Sequence, residues 1–175
     1  MRVVYTLTCG TKLLLVFPSA KSLQTFAHYY FSKNFIDMII KISENKKEIV
    51  KPQDIYQILT DCLRSEDKVD QDKEHFWVFH LDCRNKIKLL ELVSLGTLNS
   101  SLVHPREVFT RAVGERSAQI IIAHNHPSGE LNPSDDDIAL TKRLIKAGEL
   151  LGIELIDHII VSNSSFVSFK AKSLI

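Results

Sequence analysis

The run Ala118–Ala123, centred on Ile120-Ile121-Ile122, is short, apolar and followed at once by polar residues. Such a run reads as a strand buried on both faces, so other elements must cover it. A polar loop, His124 to Pro133, follows, and a helix pattern runs from Ser134 to about Leu151 with Ile138, Leu140, Leu144, Ile145 and Ala147 inside. A further strand is expected over Ile153 to Val161, and a short one over Ser165 to Phe169. Strand, helix and strand in succession mark a mixed α/β protein. The 175 residues suffice for one domain of this kind with a short extension.

Upstream, Glu74 to Leu81 is rich in aromatic and β-branched residues, Asp82 to Asn85 is a turn, and Lys86 to Leu95 returns until Gly96 closes it. Together these predict a hairpin. Pro52 suits a helix first turn, with Ile55, Ile58, Leu59 and Leu63 as its apolar face. Pro105 opens another helix holding Val108, Phe109, Ala112 and Val113. Ser65 to Lys73 reads as a solvated loop. Residues 1–20 read as one or two short strands or an irregular extension. Residues 21–44 place apolar side chains at three- and four-residue steps and predict an amphipathic helix. The expected boundary puts a partly helical N-terminal extension at 1–45 and the main domain at 46–175.

Lys plus Arg number 22 against 21 Asp plus Glu, so no net field draws the chain to nucleic acid or an acidic membrane. Lys142, Arg143 and Lys146 form a short cluster that reads as a solvated helix face. The apolar stretch Val3 to Phe17 is interrupted by Thr6, Thr8, Gly10, Thr11 and Lys12, which argues against both a signal peptide and a membrane span. Cys9, Cys62 and Cys83 are distant and odd in number; three reduced thiols in a cytoplasmic protein are expected.

The chemistry concentrates after the buried strand, in HNHPSGELNPSDDD. His124 and His126 stand two apart at a strand end, where side chains at i and i+2 leave on one side. A chain turning at Pro127 and Gly129 can return Asp137 to them. Two imidazoles and one carboxylate leave a fourth tetrahedral position, the layout of a catalytic zinc site. A second reading stands beside it: Ser134-x-x-Asp137 also spells a helix N-cap with its acidic partner.

His124-x-His126-x7-Ser134-x2-Asp137 resembles the JAMM (MPN+) metalloprotease signature, and the fuller string resembles the RadC family. Leu81-Asp82 with Asn85, Gly96-Thr97-Leu98, His104-Pro105-Arg106-Glu107, Thr141-Lys142-Arg143 and Asp157-His158-Ile159-Ile160 extend the likeness over roughly residues 48–170. The resemblance implies a three-layer JAMM/cytidine-deaminase-like fold, a mixed central sheet flanked by helices. It implies that His124, His126 and Asp137 are ligands to Zn²⁺, that Ser134 steadies the oxyanion, and that a strand glutamate is the general base. Glu74 best matches that glutamate, with Glu91 (an exposed strand residue on this reading) and Glu107 as competitors. Asp157-His158 reads either as a pair orienting the site or as core polar residues. His75, His80 and His104 read as structural or surface groups, and Asn125 as bonding to the loop or substrate.

Residues 1–45 do not match the helix-hairpin-helix-like region with which full-length RadC-type proteins begin. Three functions follow from the likeness. The first is hydrolysis of a peptide or isopeptide bond in a peptide or protein substrate. The second is a role in DNA repair or recombination, with DNA as partner. The third is a scaffold without catalysis. The intact ligand set favours the first.

Overall fold

A computed structural model describes residues 4–9, 11–16, 38–41, 49, 51–96 and 103–175. Its strands are β1 (Val4–Cys9), β2 (Thr11–Val16), β3 (Met38–Lys41), β4 (Glu74–Leu81), β5 (Ile87–Gly96), β6 (Gln119–Asn125), β7 (Glu154–Val161) and β8 (Phe166–Ser168). The helices among the described residues are α1 (Pro52–Ser65), α2 (Lys68–Gln71), α3 (Pro105–Gly114) and α4 (Asp135–Leu151). All eight strands form one sheet in the order β2-β1-β3-β5-β4-β6-β7-β8. Every pairing is antiparallel except β6 with β7, which are parallel and joined by the α4 crossover.

Strand alternation sorts the core into two layers. Trp77, Phe79 and Leu81 of β4 and Ile121 and Ala123 of β6 face α1, which answers with Ile55 and Leu59, one turn apart. Phe76 and Val78, with Ile120 and Ile122, face the other way. There they meet Val108, Phe109 and Ala112 of α3 and Leu140 and Leu144 of α4. The three-layer mixed architecture expected from the sequence is therefore present. Among the described residues no helix is long and apolar enough to cross a membrane.

Two expectations need correction. Met38–Lys41 is a strand rather than the end of a 21–44 helix. It lies between β1 and β5, where sheet pairing outweighs helical spacing; the earlier part of that expected helix lies outside the described residues. The segment 65–73 is not all loop, because Asp67 caps the short α2 by accepting the Asp70 amide at 2.9 Å. The strands expected in residues 1–20 are β1 and β2. Cys62 and Cys83 are free thiols, and burial pushes that of Cys62 up to about 12. The side chain of Cys9 is outside the described residues.

Helix α4 ends at Gly152, whose φ of +68° is left-handed, and the Ile153 amide turns back to the Gly148 carbonyl at 3.0 Å. That reversal brings the Ile153 carbonyl against Gly148, and the Phe109 ring closes the same spot: a Cβ there would meet its Cζ at 3.3 Å. Gly148→Ala should therefore destabilise the fold by roughly 1–3 kcal/mol. Gly114→Ala, where a Cβ meets nothing within 4 Å, should not. Thermal unfolding by circular dichroism checks both; equal midpoints for the two variants would contradict the packing.

Candidate metal centre

Strand β6 is central, and its carboxyl end meets the amino end of α4, the edge of an α/β sheet at which ligands gather. His124 is fully buried, His126 follows at the strand end, and Asp137 lies in the first turn of α4. Their ligand atoms lie within 4.8 Å of one another, and no other such group of three occurs among the described residues. Nε2 of His124 is 2.9 Å from Nε2 of His126. Asp137 Oδ1 is 3.3 Å from the first, and Oδ2 3.7 Å from the second.

The two readings of Ser134 and Asp137 hold together. Ser134 caps α4: its hydroxyl accepts the Asp137 amide at 3.1 Å, and Asp137 Oδ2 accepts the Ser134 amide at 2.8 Å. The Ser134 hydroxyl proton is also given to Oδ2, at 2.7 Å. Oδ1 is left toward His124. Asp137 is thus both a cap and a member of the cluster, and the positive helix end favours its charge.

The tautomers follow from the partners. Thr141 Oγ1 donates its one proton to the Asp137 carbonyl at 2.6 Å, so it accepts from His158 Nδ1 at 2.7 Å. His158 Nε2 must then accept from His124 Nδ1, 2.8 Å away. His124 Nε2 therefore carries an unshared pair. His126 Nδ1 donates to the Glu130 carbonyl at 2.7 Å, which turns its Nε2 pair to the same point. Burial holds His158 well below the ordinary histidine range and His124 at about 4, so both are neutral near pH 7. Two electron pairs and a carboxylate converge, and only a cation between them, a metal ion or a proton, relieves the repulsion. The donor set fits a metal.

The structure also separates residues that the sequence had grouped. His158 touches His124, but Asp157 faces away: it accepts from Ser168 Oγ at 2.6 Å and the Lys170 amide at 3.0 Å, tying down β8. Glu91 is not an exposed strand residue. It is buried, 2.9 Å from His80 Nε2 and 3.8 Å from Arg111 Nε, because its strand position faces α3. Ser117 completes that chain at His80 Nδ1, 3.4 Å. Glu107 is exposed on the first turn of α3 beside Arg106. His104 caps that helix, and His75 is buried. Glu74 begins β4, and alternation sets its side chain on the face of Phe76, which lies opposite His124. Asn125 bonds to the start of β4, accepting the His75 amide and donating to the Lys73 carbonyl. Gly129 has a φ of +82° in the turn after His126. Thr141 was missed as a site residue, although its spacing of four from Asp137 puts both on one helix face.

The RadC-like JAB domain family matches residues 49–174. The chain belongs to the RadC family. It is 39% identical over 166 residues to a UPF0758 protein of Methanosarcina mazei, covering 95% of this chain and 64% of that one. It is 46% identical over 133 residues to a UPF0758 protein of Desulforamulus reducens, covering 76% and 56%. For a UPF0758 protein of Desulforudis audaxviator the figures are 50% over 103 residues, 59% and 45%. The chain thus spans less than two thirds of these relatives. The Methanosarcina alignment reaches back into residues 1–45, from which the described strands β1, β2 and β3 pair into the sheet of the RadC-like domain.

Two outcomes follow for this cluster. Metal-free protein should be most stable above about pH 6.5, the ordinary histidine value, and lose stability as pH falls through about 4, because the unfolded chain takes up the protons that buried His124 refuses. Melting temperature against pH reads this, and His124→Gln should flatten the profile. Thr141→Val removes the hydroxyl that orients His158 and should weaken metal binding roughly 10–100-fold, with Thr141→Ser near wild type. Competition with a chromogenic chelator measures it.

Proposed function

We propose that this chain is a zinc-dependent metallohydrolase that cleaves a peptide or isopeptide bond. The observation that carries the reading is the convergence of the His124 and His126 Nε2 pairs on Asp137 with no internal proton donor between them. Two nitrogens and one oxygen suit zinc and leave a position for substrate or water. When bound, zinc supplies Lewis acidity, polarising a carbonyl and making water a nucleophile near neutral pH.

The chain's own residues do the remaining work. His158 and Thr141 hold His124 in the ligating tautomer, and the Glu130 carbonyl does the same for His126. Ser134 sits beside the cluster with a hydroxyl that can turn from Asp137 toward a developing oxyanion. Glu74, on the face of His124, is assigned to take a proton from the attacking water and return it to the leaving amine. Membership of a JAB-domain family supports a hydrolase.

Elemental analysis of the purified chain should find about one zinc per wild-type molecule, lost in folded His126→Ala and Asp137→Ala. Glu74→Gln should keep zinc and lose roughly 10²–10⁴-fold in turnover of a peptide library. A folded wild type that neither retains nor takes up zinc would sink the reading.

A further inference from the structure

Strands β4 and β6 stop pairing just where the site begins. Their ladder ends at Phe76 opposite His124, while the His126 amide, on the β7 side by alternation, donates to the Val161 carbonyl at 2.9 Å. Beyond that pair the side chain of Asn125 holds the start of β4. Its Oδ1 accepts the His75 amide at 2.7 Å, and its Nδ2 donates to the Lys73 carbonyl at 2.9 Å. A carboxamide carries the donor and acceptor of a peptide group, so it serves here as one added rung. Asn125 is 4% exposed, and a bond lost there leaves a buried group unsatisfied.

His75 reinforces the same point. Its Nδ1 donates to the Lys73 carbonyl at 2.9 Å, and its ring stacks on Trp77 at 4.9 Å. Its Nε2 lies 2.7 Å from Glu66 Oε2, outside hydrogen-bond alignment. The residue between the two clamped peptides is Glu74. Alternation sets its side chain on the face of Phe76, which lies opposite His124.

We propose that Asn125 is a positioning residue, whose carboxamide fixes the Lys73–His75 segment and so sets the direction of the Glu74 side chain on the face of the metal ligands. This rests on the hydrolase reading above and deepens it. Alternation divides the work within His124-Asn125-His126. The two imidazoles face the cluster, and the amide between them faces the opposite side of the sheet and holds the strand of the base.

Cobalt(II) alone is the probe, because its visible absorption reports its surroundings. Wild type, Glu74→Gln, Asn125→Ala and the double variant should each bind about one cobalt. Glu74→Gln should move the pH midpoint of the absorption change by about one unit, the scale of one neighbouring charge. Asn125→Ala should move it the same way, at least half as far. The double variant should go no further than Glu74→Gln, because both act through one carboxylate. An Asn125→Ala protein that loads cobalt and titrates like wild type overturns the positioning role, however far its melting temperature has dropped. So does a shift that adds in full to that of Glu74→Gln. A Glu74→Gln protein that titrates like wild type removes Glu74, and the proposal with it. A wild type that takes up no cobalt, or whose bound cobalt shows no pH-dependent absorption, overturns the hydrolase reading itself. Should Asn125→Ala not fold, Asn125→Gln, which carries the same amide one carbon further out, takes its place with the same outcomes.

Discussion

The unshared electron pairs on two imidazole nitrogens 2.9 Å apart are the constraint around which this end of the molecule is arranged. Nothing in a folded chain brings two such pairs together without a cost, so the surroundings must over-determine the arrangement. The strand supplies one determinant, since β6 is held by β4 on one side and β7 on the other up to its final residues. The helix start supplies another, because the cap at Ser134 fixes Asp137 before any ion arrives. The third is the buried chain from Thr141 through His158 to His124, in which each group has one allowed role once the Asp137 carbonyl has taken the first proton. A site built this way needs little reorganisation on binding.

Much of this was legible in the sequence because it is local. The apolar run before His124, the turn residues after it and the cap spacing at Ser134 and Asp137 all lie within about twenty residues, and each obeys a short-range rule. The two-layer burial of β4 follows from period two in the same way.

What escaped depends on contacts between distant segments. Glu91 looked like a solvent-facing strand residue because no short-range pattern places His80 and Arg111 over it. Met38 to Ile40 kept helical spacing with their upstream neighbours, but two open strand edges claimed them. Asp157 and His158, adjacent in sequence, leave opposite faces of β7, so one reaches β8 and the other the metal cluster. The bonds of Asn125 span fifty and fifty-two residues, beyond the reach of any motif.

The way Asp137 divides its two oxygens bears on which ion the cluster can hold. Oδ2 receives the amide and the hydroxyl of Ser134, and both bonds are part of the start of α4. Only Oδ1 is left to bind in full while both bonds hold, so the carboxylate is monodentate as long as the Ser134 hydroxyl stays on Oδ2. Calcium seeks six to eight oxygens and commonly takes carboxylates through both of theirs. A donor set limited to two nitrogens and one oxygen starves such an ion and satisfies a small one that prefers four neighbours. A hydrogen bond that begins a helix therefore also acts as a filter on coordination number.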